Sequence, residues 1–175
     1  MTEKELLQLI EKAAAEGWEE LDLSGNELTV LPAEIGKLTQ LKKLILGKLD
    51  EKKCRYIGNK LSELPKEIGL LAQLEELLIA DNQLSSLPTE IVKLTHLQSL
   101  DLSENQLNSW PGEIGQLTNL QSLHLDGNSL ESPPPEILRQ GTEAILNFYK
   151  QQLEQTIERL YEAKFLIIGE GGAGK

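Results

Sequence analysis

The stretch Leu97-Gln98-Ser99-Leu100-Asp101-Leu102-Ser103-Glu104-Asn105-Gln106-Leu107-Asn108-Ser109-Trp110-Pro111-Gly112-Glu113-Ile114-Gly115-Gln116-Leu117-Thr118-Asn119 decides the fold. The residues before it carry the same spacing: Leu74, Leu77, Ile79, Asn82, Leu84, Leu87-Pro88, Ile91 and Leu94. Residues 18 to 40 superimpose on both, and so does the chain from residue 120 onward, at a period of 23. Such a period marks one structural layer copied along the chain, each copy burying its apolar face against the next. Leu100 and Leu102 alternate as on a short strand, and equivalent strands of successive copies pair in parallel about 4.8 Å apart. The turn after each strand encloses backbone groups that no sheet ladder reaches, so an inward amide side chain must satisfy them. Asn26, Asn59, Asn82, Asn105 and Asn128 are placed to do this. Leu-Pro followed by Ile and Leu then forms a back wall, extended or of one turn, that returns the chain to the next strand.

L-x-x-L-x-L-x-x-N-x-L at this period is similar to the leucine-rich repeat. The fold class expected is α/β: a leucine-rich-repeat solenoid of about five 23-residue repeats, with a parallel concave β-sheet and helical caps at both ends. The N-terminal cap spans 1–17, where Thr2-x-x-Glu5 is a capping box leading into Leu6, Leu7, Leu9, Ile10 and Ala13, with Gly17 as the stop. The repeats run 18–141. After Pro133-Pro134-Pro135 the pattern decays, and Ile145, Leu146, Tyr149, Leu153, Ile157 and Leu160 recur at helical spacing, which predicts a cap and connector helix over 142–163.

Composition agrees with a repeated aliphatic layer, since aromatic residues make up only 4% of the chain. The net charge of −11, from 17 basic and 28 acidic residues, opposes binding to nucleic acid or an anionic membrane surface. One cysteine, Cys54, allows no internal disulfide or thiolate zinc cluster. His96 and His124 lack metal-ligand spacing and are expected on the solvated surface. No metal and no catalytic residue is expected. The opening Met1-Thr2-Glu3-Lys4-Glu5 is not a secretory leader, so a cytoplasmic monomer is the expectation.

A binding role belongs to the outward residues of the concave face. In order these are Glu20, Asp22 and Ser24; Lys43, Ile45 and Gly47; Glu76, Leu78 and Ala80; Ser99, Asp101 and Ser103; Ser122, His124 and Asp126. Ile45 and Leu78 place two aliphatics on a face expected to be solvated, the chemistry of a protein-binding hot spot within a polar rim that holds Asp101 and His124. The second repeat, 41–73, also carries a ten-residue insertion at about 48–57, expected to project as a mobile loop with Arg55 and Tyr56 as further partner contacts.

Residues 164–175 end in Phe165-Leu166-Ile167-Ile168-Gly169-Glu170-Gly171-Gly172-Ala173-Gly174-Lys175. An apolar strand followed by G-x-x-x-x-G-K is the pattern of a phosphate loop, in which glycine N–H groups curve around a phosphate and the lysine neutralises its oxygens. Gly169, Gly171, Gly172, Gly174 and Lys175 are the nucleotide-binding candidates. Alone, these residues lack the Mg²⁺-binding hydroxyl and the helix that complete such a site, so strand 165–168 is expected to be disordered or paired with another molecule.

Repeats first, then a helix, then this loop resembles the Roco proteins, as does the connector Pro134-Pro135-Glu136-Ile137-Leu138-x-x-Gly141-Thr142-Glu143-Ala144-Ile145 of their bacterial members. The resemblance implies a parent with a Ras-like GTPase domain (Roc) and a dimerising domain (COR), using GTP and Mg²⁺ as a molecular switch. The repeats would then contact those domains or a protein partner, and the chain itself would hold no cofactor and do no catalysis. Two other readings stay open: a stand-alone adaptor with an incidental G-x-x-x-x-G-K, and the repeat domain of a bacterial effector enzyme.

Overall fold

A computed structural model describes residues 1–109 and 111–170, and the side chains of these except Ala163 and 165–170. Helix α1 (Glu3–Glu16) opens the chain. The Thr2 hydroxyl accepts the Glu5 N–H at 3.3 Å and the Glu5 carboxylate accepts the Thr2 N–H at 2.7 Å. Gly17, in the left-handed region at φ 65°, ends the helix. Leu6, Ile10 and Ala13 face the first repeat and are buried.

The strands are β1 (Glu20–Asp22), β2 (Lys43–Asp50), β3 (Arg55–Ile57), β4 (Glu76–Ile79), β5 (Ser99–Asp101) and β6 (Ser122–His124). Five pair in parallel in the order β1-β2-β4-β5-β6, and β3 pairs antiparallel with β2. The back wall is a stack of 3₁₀ turns at Ala33–Lys37, Lys66–Leu70, Thr89–Lys93 and Gly112–Gln116. Each follows a proline, whose fixed φ sets the entry and whose missing N–H would have no partner there. Between sheet and wall, Leu44, Leu77 and Leu100 are fully buried, as are Ile35, Ile68, Ile91 and Ile114.

The asparagines tie the layers together. Asn105 Nδ2 donates to the carbonyls of Leu102 and Ser103 in its own turn and to Ile79 of the preceding repeat, while its Oδ1 accepts the Leu84 N–H at 3.1 Å. Asn59, Asn82 and Asn128 likewise bond carbonyls of their own and the preceding turns. Among the described residues, the Asn26 side chain in the first repeat donates only to the carbonyls of Leu23 and Ser24 in its own turn.

Three expectations are corrected. The insertion is an ordered hairpin and not a free loop, with Lys48 opposite Ile57, Leu49 opposite Tyr56 and Asp50 opposite Arg55. Pairing satisfies backbone groups that an extended loop would leave to water. The hairpin returns at Gly58, where an added Cβ would lie 1.5 Å from the Asp81 carbonyl oxygen, so only glycine lets the turns stack. Second, a short helix α2 (Pro135–Leu138) precedes the connector, with Pro135 in its first turn. Third, the connector helix α3 runs Thr142–Glu170, through the segment expected to be a strand at 165–168. A strand bonds its backbone only to neighbours, and no strand pairs with this segment among the described residues; a continuing helix bonds it within itself.

Helix α3 covers the last repeat with its first two turns. Ile145 and Tyr149 are buried, and an added Cβ at Gly115 would lie 2.6 Å from the Lys150 nitrogen. The Thr142 hydroxyl accepts the Leu123 N–H of edge strand β6 at 3.0 Å. Farther along, Ile157, Leu160 and Tyr161 are exposed, so only the start of the predicted apolar stripe is core.

Candidate functional site: the concave sheet face

The register of the parallel strands puts Asp22, Ile45, Leu78, Asp101 and His124 side by side in one row across the sheet. Four of the six partner-contact candidates, Ile45, Leu78, Asp101 and His124, therefore share a single line. A second row holds Glu20, Lys43, Glu76, Ser99 and Ser122. Arg55 and Tyr56 stand apart from both, on β3 of the hairpin, with Arg55 exposed and Tyr56 half-buried.

Ile45 is not the exposed aliphatic that its outward position predicts: it is only 4% exposed. Two ion pairs frame it. Lys43, two residues before it, reaches across to Glu76 on β4 at 2.6 Å. Lys48, three residues after it, reaches the other way to Asp22, directly beside Ile45 in register. The burial of Ile45 thus coincides with ion pairs on both sides of it along its strand. Lys48 belongs to the insertion, which a 23-residue template does not predict to return over the sheet. Gly47, Ala80 and Ser103 are also buried, which leaves half-buried Leu78 as the apolar contact within reach of a ligand.

Charge divides the face in two. In its first half two of the three carboxylates have an internal lysine, Asp22 with Lys48 and Glu76 with Lys43, while Glu20 on the edge strand is exposed. Burial works against the Asp22 carboxylate, but the Lys48 ammonium and the Ser24 hydroxyl and N–H outweigh it and hold its pKa below the ordinary 3.8. The hydrogen bond to Glu76 likewise lifts Lys43 above 10.5. In the second half Asp101 accepts the Ser103 N–H at 2.9 Å, Ser122 Oγ lies 2.9 Å from His124 Nε2, and Asp126 is exposed. No cation pairs with Asp101 or Asp126 among the described residues.

Among the described residues no group of three or more His, Cys, Asp or Glu side chains could hold a metal ion, and no helix is long and apolar enough to cross a membrane. Cys54 is exposed in the hairpin turn. His96, also exposed, has its Nδ1 at 2.9 Å from the Ala72 carbonyl oxygen. Of the phosphate-loop candidates, Gly169 lies in α3, and Gly171, Gly172, Gly174 and Lys175 lie outside the described residues, as does Trp110 of the fourth repeat.

Two family models, both described as leucine rich repeat, match residues 17–38 and 72–130. No curated protein matches the chain. Among solved structures, a leucine-rich-repeat protein of Leptospira interrogans is 41% identical with a TM-score of 0.51, over 73% of this chain and 36% of that one. The leucine-rich-repeat ectodomain of the plant membrane receptor kinase GASSHO1/SCHENGEN3 from Arabidopsis thaliana, in complex with CASPARIAN STRIP INTEGRITY FACTOR 2, is 39% identical with a TM-score of 0.57, over 67% of this chain and 14% of that one. YopM from Yersinia enterocolitica is 25% identical with a TM-score of 0.58, over 74% of this chain and 24% of that one. The chain thus spans little more than a third, or less, of each of these structures.

Proposed function

Because the chain carries a leucine-rich-repeat domain, a protein-interaction module, we propose that it binds its partner on the concave sheet face, in the row formed by Leu78, Asp101 and His124. The observation that carries this reading is the register, which sets a half-buried leucine beside a carboxylate that no cation among the described residues pairs, on a surface whose first half holds two internal ion pairs. A face of this kind desolvates at its apolar centre and selects by charge at its rim. Complex formation by the plant relative supports the reading by analogy. The test is photo-crosslinking in the producing cell, with a benzophenone side chain placed at position 78, at 101, or at exposed Val30 outside the strands. Adducts at 78 and 101 but not at 30 are expected; equal adducts at all three, or none at 78, would reject the face.

A second reading concerns the longer protein. The sequence Gly169-Glu170-Gly171-Gly172-Ala173-Gly174-Lys175, which begins at the end of helix α3, favours a Roco-type GTP-binding parent in which the repeats serve a nucleotide switch. A phosphate loop there requires 165–168 to leave helix α3 and join a sheet supplied by the following domain. The test is GTP affinity of the longer gene product: micromolar or tighter binding lost in Lys175→Ala supports it, and affinity unchanged by that substitution rejects it.

A further inference from the structure

We infer that the edge of the last repeat binds an extended segment of a partner protein with the form x-Leu-x-x-Asn. This surface is distinct from the concave row proposed above, and it stands whether or not that row binds. It is a groove of about 430 Å³ between the turn after β6 and the start of helix α3, with Leu123, Leu125, Asn128, Leu130, Leu138 and Ile145 in its lining.

Each layer of the solenoid holds the one before it by the same rule. The asparagine Oδ1 accepts a leucine N–H of the preceding turn: Leu28 by Asn59 at 3.0 Å, Leu61 by Asn82 at 3.1 Å, Leu84 by Asn105 at 3.1 Å and Leu107 by Asn128 at 3.0 Å. Its Nδ2 donates to a carbonyl of the preceding layer, in turn that of Leu23, Leu46, Ile79 and Leu102. The strand adds a backbone bond, as when the Leu23 N–H donates to Ile45 and the Leu102 N–H to His124.

In the last layer the corresponding groups are the N–H of Leu125, the N–H of Leu130 and the carbonyl of Leu125. Among the described residues neither N–H has an acceptor, and β6 pairs only with β5. The Thr142 hydroxyl takes the Leu123 N–H, so helix α3 closes the first rung of this edge and leaves the next open. The Leu125 carbonyl already accepts Asn128 Nδ2 at 2.9 Å and has a second lone pair, just as the Leu102 carbonyl takes both Asn105 and Asn128. Burial follows the same division. Leu100, Leu102 and Leu107 are fully buried under the next layer, whereas Leu123, Leu125 and Leu130 are half-buried.

A segment x-Leu-x-x-Asn laid parallel to β6 satisfies all of these groups at once. The carbonyl of x takes the Leu125 N–H, the asparagine Oδ1 takes the Leu130 N–H, its Nδ2 donates to the Leu125 carbonyl, and the leucine covers Leu125 and Leu130. Aspartate would keep the acceptor and lose the donor. A second copy of this chain does not supply the segment. Its stretches Leu102-x-x-Asn105 and Leu125-x-x-Asn128 are built into its own turns, and its first layer lies against helix α1, with the Met1 amino group donating to the Asn26 carbonyl at 3.1 Å.

The test uses the 175-residue chain and the labelled peptide Gly-Ser-Leu-Ser-Gly-Asn-Ser-Leu-Gly, with binding read by fluorescence anisotropy. Saturable binding is expected, weakened about tenfold when the peptide asparagine is replaced by alanine, because the Leu130 N–H is then covered without an acceptor. Amide exchange read by NMR should slow at Leu125 and Leu130 on saturation and stay unchanged at Leu107, which Asn128 already holds. Ser129→Trp, at an exposed position of the lining, should block the groove and abolish binding. The two peptides are compared on the natural chain, so they decide the matter whatever that variant does to folding. No binding at millimolar peptide, equal affinity for the alanine peptide, or exchange at Leu125 and Leu130 indifferent to peptide would each overturn the inference. So would a mass that rises with concentration in the chain alone while the same two amides become protected, which would assign the groove to a second copy.

Discussion

One asparagine per repeat sets the layer spacing at the residue scale. Asn105 satisfies three carbonyls and one N–H in two successive turns, all in a region closed to water. Asn105→Ala should therefore cost about 3 kcal/mol in urea unfolding, since each stranded buried group costs roughly 1 to 3 kcal/mol; a loss below about 1 kcal/mol would mean water replaces the amide. Leu100→Ala should cost about 2 to 5 kcal/mol for the cavity it leaves. Both positions were legible from the period alone. Ile45 was not: the period gives its outward parity but not its burial, nor the ion pairs of Lys43 and Lys48 on either side of it.

Elements differ in how far they depend on neighbours. Helix α1 carries its own start and stop signals in Thr2, Glu5 and Gly17, and its bounds match the sequence reading. Helix α3 is held by packing over Ile145 and Tyr149, whereas its later turns show Ile157, Leu160 and Tyr161 to solvent. Hydrogen exchange should follow that division. Amides near 146–150 should be protected by at least about a hundredfold over those near 157–161, which an isolated helical extension leaves to fray. Equal protection along the helix would show that a partner or a second copy covers the exposed stripe. The hairpin β2–β3 escaped prediction because a ten-residue departure from a repeat carries no period of its own, and the pairing of Leu49 with Tyr56 is a choice made by turn geometry.

Across the whole molecule, stability reflects layers that each touch only their neighbours, so charge effects remain local. Asp22 has a folded pKa below its ordinary 3.8, so its ion pair with Lys48 stabilises the fold above that pH and is lost as pH falls through the folded value. Acid unfolding below about pH 4 should therefore be shallower in Asp22→Asn than in the natural chain; superimposable acid limbs would show that the pair contributes nothing. Lys43 has the opposite sign: its raised pKa stabilises the fold below 10.5 and the contribution disappears as pH rises through the folded value. The fold, the asparagine ladder, the N-terminal cap and the row of outward positions came from sequence, because a repeat states its packing rule once per turn and chain connectivity enforces the register. Tertiary structure decided which outward residues meet solvent, that the insertion pairs as a hairpin and brings Lys48 to Asp22, and that 165–170 stays helical. Each of those depends on groups distant in sequence: two lysine stems crossing to neighbouring strands, a hairpin stacking Gly58 on Asp81, and the lack of a paired strand beside 165–168 among the described residues.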